Sequence, residues 1–164
     1  MATFEDVSIL ETMGRNAGWL AAAAALGKQD DDEAPHLVYV PEIPFDEERF
    51  LAGVAGVHGR LGRVFVAVSE GLRYADGEFV GAHTMQAATD AFGHVLATLT
   101  KGVAAYLADL VSERLKLRAR FLRPVLVGRA FTDSVSPVDR REAYAVGRAA
   151  VEYLAAGGSG SMIT

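Results

Sequence analysis

Val7-Ser8-Ile9-Leu10-Glu11, Gly14-Arg15-Asn16-Ala17-Gly18 and Trp19-Leu20 followed by Ala21–Ala25 form one continuous stretch that decides the fold. The first five residues read as a short buried strand. The glycine-bearing segment reads as a tight turn. The alanine run reads as a helix, because alanine is the strongest helix former and its small side chain lets a helix lie close to a sheet. Gly27 is the expected helix stop, and Trp19 is expected in the core.

The same alternation continues outward. His36–Val40 reads as a second strand ended by Pro41, and Asp46 as the cap of a helix over Glu47–Val57. Gly53, Gly56, Gly59 and Gly62 recur every three residues and read as close helix packing. Val64–Val68 is a third strand, ending in Ser69-Glu70-Gly71. Residues 73–86 read as a loop or hairpin with Asp76-Gly77 at its turn. Ala87–Leu115 reads as helical with a break near Gly93 or Gly102. Leu117–Val127 holds a fourth strand that Pro124 keeps from a central place, and Val138–Ala156 is a final helix. Strands alternating with helices predict a three-layer α/β domain with a mainly parallel sheet.

Composition bounds the chemistry. The chain has 164 residues and no cysteine, which removes disulfides, thiol catalysis and cysteine zinc sites. Its net charge is −5. The charge is uneven: −7 over residues 1–60, −2 over 61–110 and +4 over 111–164. An acidic chain repels polyanions, so no nucleic-acid partner is expected, while the basic last third can hold one small anion. The longest apolar helical stretch, Trp19–Leu26, is far short of the roughly 20 residues of a membrane span. Residues 1–6 do not resemble a secretory signal, and a cytoplasmic location is expected. The acidic run Asp30–Glu33 reads as a solvated loop; no metal site is expected in this chain. His36, His58, His83 and His94 have no ligand-like spacing.

In a parallel α/β sheet, ligands bind beyond the carboxyl ends of the strands. The residues placed there are Met13, Gly14, Arg15 and Asn16, then Glu70, Gly71 and Arg73, then Arg123 and Arg129. A glycine turn opening a helix presents backbone N–H groups, and an arginine beside it offers a planar fork suited to phosphate. A carboxylate in the same place accepts hydrogen bonds from sugar hydroxyls. Together they suit a phosphorylated polyol. The competing reading is that Arg15 and Glu70 pair with each other or with loop backbone.

Glu11-Thr12-Met13-Gly14-Arg15-Asn16-Ala17-Gly18-Trp19-Leu20-Ala21 resembles the E-x-MGR-x-xGxxA segment of the 6-phosphofructokinases. Val66-Ala67-Val68-Ser69-Glu70-Gly71 resembles their second substrate segment. Asp139-Arg140 with Ala143–Val151 is similar to the helix after their last substrate loop. Pro41–Glu48 and Asp90-Ala91-Phe92-Gly93-His94 resemble the branch containing many pyrophosphate-dependent members.

The resemblance implies a Rossmann-like domain, half of a two-domain fold: residues 1–156 binding fructose 6-phosphate and residues 157–164 a flexible exit. It implies that Met13, Gly14 and Arg15 hold fructose 6-phosphate and that Glu70 binds its hydroxyls. Arg123 stands where some members place a phosphate-binding arginine, five residues before Gly128. The family loop G-H/Y-x-Q-R is here Gly128-Arg129-Ala130-Phe131-Thr132, so Arg129 supplies the charge from a different position or the substrate differs. Where some members carry a basic residue that reaches a neighbouring subunit, this chain has Asp6.

Family members are about twice this long. The donor-binding half, with its glycine-rich loop, catalytic aspartate and Mg²⁺, is expected upstream, so no catalytic residue is expected in this chain, which alone is expected to be inactive. The full enzyme would phosphorylate fructose 6-phosphate to fructose 1,6-bisphosphate in glycolysis, with pyrophosphate favoured over ATP as donor, as a homo-oligomer. The alternative is a non-catalytic module that binds a sugar phosphate or pairs with a full-length subunit.

Overall fold

The computed structural model describes residues 6–82, 88–89, 95–96, 102–124 and 127–164. They form two compact units, one over residues 1–125 and one over residues 126–164.

The first unit is built on β1 (Val7–Thr12), α1 (Trp19–Ala23), β2 (Leu37–Tyr39), α2 (Glu47–Leu61), β3 (Val64–Ser69), β4 (Ala88–Thr89), β5 (Val95–Leu96), α3 (Val103–Leu115) and β6 (Ala119–Leu122). Four strands make a wholly parallel sheet in the order β2-β3-β1-β6. The two central strands carry the apolar runs, as strands covered on both faces must. The main core lies on one face, where Val7, Ile9, Val64, Val66 and Val68 meet Phe50, Leu51 and Val54 of α2 and Val103, Leu107 and Val111 of α3. Ala67, on the opposite pleat, is buried outside that cluster, as is Ala21 of α1. Right-handed crossovers account for this: the chain moves one way from β1 to β2 and the other way afterwards, so α1 and the α2–α3 pair take opposite faces. The three-layer parallel α/β architecture is therefore as expected.

Local chemistry sets the ends of α2. Asp46 caps it, with Oδ1 accepting from the Arg49 amide at 2.8 Å. Gly62, at φ +68°, ends it. The helix thus runs four residues beyond Val57, because nothing breaks it before Gly62. The glycine series is close packing only at Gly53, where a Cβ would stand 3.5 Å from Leu37; at Gly56 and Gly59 a side chain would meet open space. The Asp76-Gly77 turn is present, with Tyr74 N donating to Glu78 O at 2.9 Å and Gly77 at φ +88°.

Three expectations are corrected. Trp19 is 81% exposed rather than core. The α1 helix stops at Ala23, with Ala24 as its cap, so Gly27 does not end it; helix propensity alone does not sustain so short a helix with one buried side chain. Within the expected helix 87–115, Ala88–Thr89 and Val95–Leu96 pair as antiparallel strands. The helix begins only after Gly102, one of the two expected break points. Residues 90–94, including the stretch Asp90–His94, lie outside the described residues, as does His83.

β6 is an edge strand, and Pro124 follows it. Asp6, the odd residue of the motif comparison, ties the start of β1 down: Oδ2 accepts from the Arg118 amide at 2.9 Å, and His58 lies 3.9 Å away. The Asp30–Glu33 loop is exposed and bonded within itself and to Arg60. Among the described residues no group of three His, Asp or Glu converges as a metal site, and no helix is long and apolar enough to cross a membrane.

The second unit contains α4 (Val127–Ala130), a short turn of tighter helix at Thr132–Ser134 and α5 (Pro137–Ala155). Ser136 caps α5 and Pro137 opens it, the favoured place for a residue with no N–H. No residue of α5 is buried.

Candidate functional site

Because β1, β3 and β6 are parallel and in register, their carboxyl ends lie along one edge. Thr12 stands opposite Ser69, and Leu10 opposite Leu122. The segments leaving them carry Met13–Gly18, Glu70–Arg73 and Arg123 to the same place.

The first loop is held by its own backbone. Gly14 adopts φ +134°, and a Cβ there would collide with the Ala17 carbonyl. Its N–H donates to Glu70 Oε1 at 3.3 Å, and the Ser69 hydroxyl donates to its carbonyl oxygen. The Glu70 amide continues the ladder one step past β3 by donating to Thr12 O at 3.0 Å. Gly71 lies against the backbone of Arg15, so that any Cβ would overlap the Arg15 carbonyl. Gly18, the residue before α1, donates to Glu42 Oε1 at 2.8 Å and has the Val40 side chain where a Cβ would stand. Gly14 and Gly71 therefore let the two loops lie directly on one another, and Gly18 lets the first lie on the exit of β2.

The side chains on this frame are of two kinds. Met13 and Glu70 are half-buried, whereas Arg15 is exposed. No ion pair joins Arg15 to Glu70 among the described residues; Glu70 holds loop backbone instead. Glu70 keeps capacity for a ligand, since a carboxylate offers about four lone-pair sites. Behind them, Arg123 Nε donates to Glu11 Oε1 at 2.7 Å, and Glu11 Oε2 accepts from the Ala104 amide at 2.9 Å.

The structure thus gathers Met13, Gly14, Arg15, Glu70 and Arg123 at one sheet edge. Arg129 lies in α4 of the second unit, and its side chain is outside the described residues. Gly71 was expected at this edge; two other residues of the frame, Glu11 and Gly102, were not assigned to it by sequence reasoning. Glu11 had a visible signal, an acidic residue at the third position of an otherwise apolar alternation, Val7, Ile9, Glu11.

The family model described as Phosphofructokinase matches residues 1–154. The chain belongs to the phosphofructokinase family. Within it, the chain is 41% identical over 155 residues to a pyrophosphate–fructose 6-phosphate 1-phosphotransferase of Xanthomonas campestris, covering 94% of this chain and 36% of that one. It is 34% identical over 163 residues to a sulfofructose kinase of Alkalicoccus urumqiensis, covering 99% and 40%. Among solved structures, the pyrophosphate-dependent phosphofructokinase of Marinobacter aquaeolei superposes with a TM-score of 0.65 at 36% identity, over 94% of this chain and 33% of that one. The chain spans less than half the length of each of these phosphofructokinase-family relatives.

Proposed function

We propose that this chain binds fructose 6-phosphate at the carboxyl edge of β1, β3 and β6. It would serve as the acceptor side of a phosphotransferase that forms fructose 1,6-bisphosphate from pyrophosphate or ATP. The observation that carries this reading is the convergence of Arg15, Glu70 and the Gly14 turn on one edge. It is supported by the 41% identity to a pyrophosphate–fructose 6-phosphate 1-phosphotransferase.

The roles follow from charge. Arg15 and Arg123 supply guanidinium donors for the 6-phosphate. Glu70, already oriented by the Gly14 amide, accepts from sugar hydroxyls. Met13 lines the site. Arg129 belongs to the proposal as a guanidinium suited to an anion. Holding the sugar in one pose converts transfer to its 1-hydroxyl into an oriented step. On this reading the donor and Mg²⁺ enter through a donor-binding segment. Without such a segment the chain would turn over no substrate. On this reading the protein works in cytoplasmic glycolysis as a homo-oligomer, with residues 1–156 as the acceptor domain.

The test is a calorimetric titration of fructose 6-phosphate, with Arg15→Ala beside it. The expected result is saturable binding, weakened by about 10- to 150-fold in the variant, the worth of one charge-assisted phosphate contact. A folded chain that binds no fructose 6-phosphate overturns the reading. Arg129 and Thr132, which depart from the family loop, favour one second reading, a different 6-substituted sugar or a non-catalytic binding module. Preference for sulfofructose over fructose 6-phosphate in the same titration would select the different sugar.

A further inference from the structure

We infer that Glu11 is a positioning residue: it holds the Arg123 guanidinium at the sheet edge in the plane from which it meets the sugar's phosphate. This rests on the proposed role of Arg123.

Glu11 occupies a place where a charge is costly. It follows Val7 and Ile9 on the core face of β1 and is 5% exposed. A carboxylate so placed is tolerated only when paired and hydrogen-bonded. Its two oxygens are both engaged, one by Arg123 and one by the first turn of α3 through Ala104. Gly102 clears the space. It sits at φ +83°, and a Cβ there would lie 2.6 Å from both Arg123 Nε and Glu11 Oε2. Thus β1, the entry to α3 and the exit of β6 meet on one carboxylate.

Stability alone does not account for this arrangement. A buried ion pair is commonly no more stabilising than apolar residues of the same volume. Here the pair is also lopsided. The Glu11 side chain is 4% exposed, while that of Arg123 is 27% exposed, at the edge where the ligand residues gather. A bond at Nε, the donor nearest the stem, fixes the plane of the fork, and a planar fork grips phosphate only in the right plane. Glu11 also partly cancels the charge of Arg123. The two effects have opposite signs. If cancellation dominated, removing the carboxylate would tighten anion binding. If positioning dominates, removal weakens it.

The experiment is a set of fructose 6-phosphate titrations on Glu11→Gln, Arg123→Gln, Arg15→Ala and the doubles Glu11→Gln/Arg123→Gln and Glu11→Gln/Arg15→Ala. The glutamine amide can accept only one of the two bonds that Glu11 accepts. Glu11→Gln is expected to weaken binding by about 10-fold, within the range for lost orientation. That loss should vanish, to within about twofold, in the Arg123→Gln background and persist in the Arg15→Ala background. Unchanged or tighter binding by Glu11→Gln overturns the inference, as does an equal loss in both backgrounds, which marks general loosening. Arg123→Gln without effect instead overturns the role of Arg123. If Glu11→Gln lacks a cooperative thermal transition, Glu11→Asp, which withdraws the charge by one methylene, takes its place. In the wild-type chain, the Arg123 Nε–H signal in NMR is expected to stay protected from exchange when fructose 6-phosphate binds. Loss of that protection on binding would mean that Glu11 releases Arg123, and would overturn the inference.

Discussion

The carboxyl edge of the sheet and its aromatic flank are held together by opposite means. At the flank, Tyr39, Phe45, Phe50 and Tyr74 pack with ring centroids 5.4 to 6.2 Å apart, Phe45 and Phe50 tilted and the other pairs edge-on. Glu47 there accepts from the hydroxyls of both Tyr74 and Tyr106, joining α2 to the hairpin and to α3. That region is secured by bulk. At the carboxyl edge, order depends on atoms that are missing: Gly14, Gly71 and Gly102 let backbone and charge approach where a methyl group would not fit. The flank should therefore lose stability when atoms are removed, and the edge should lose ligand when atoms are added.

The largest effect should come from Phe50→Ala, because Phe50 is fully buried. It is expected to cost about 3–5 kcal/mol in denaturant unfolding, with fructose 6-phosphate affinity unchanged where the variant is folded. A weakened affinity would break the separation between the two regions. Next is Gly71→Ala, which pushes the Arg15 backbone aside. Affinity is expected to fall about 100-fold, the scale for a misplacement near 1 Å, with a loss of about 1–3 kcal/mol in stability. Wild-type affinity in this variant would show that the second loop does not position the first.

The flank also carries a pH signature. Burial first, and then the bond to Glu47, push the Tyr74 and Tyr106 phenols above the ordinary tyrosine value. The folded chain thus holds these protons longer than the unfolded chain does. Their stabilisation is complete below about pH 10 and is lost as pH rises above it. Tyr74→Phe should cost about 0.5–1.5 kcal/mol at neutral pH and flatten the alkaline fall in unfolding free energy. An unchanged fall would place its origin elsewhere. The smallest effect is a gain. Gly56 lies in open space inside α2, so Gly56→Ala should stabilise by about 0.5–1 kcal/mol, measured by thermal unfolding, and leave binding alone.

Much of this contrast was legible in the residues. The alternation of strand and helix, the Asp46 cap and the arrival of Arg15 and Glu70 at one sheet edge follow from local chemistry and right-handed crossovers. What escaped has physical causes. Trp19 is apolar, but apolarity says that a side chain gains by burial, not that a neighbour exists to bury it. The pairing of Ala88–Thr89 with Val95–Leu96 is a contact between strands, which helix propensity does not register. Gly71 and Gly102 look like ordinary loop glycines until the strand register places Arg15 and the Glu11–Arg123 pair over them. Glu11 was visible as a misplaced charge, but its partner lies 112 positions away.

That separation has a consequence for how the molecule is made. β1 is central in the sheet and precedes both its neighbours in the chain; the second of them, β6, ends at Leu122. On a ribosome adding about 5–20 residues per second, one flank of β1 waits on the order of 10 s for its partner. Glu11 is meanwhile an unpaired carboxylate at the end of an apolar strand, which favours water and delays burial of that end. The acid that aims an arginine is thus, during synthesis, a charge that must wait for the last strand of its sheet before it is paired.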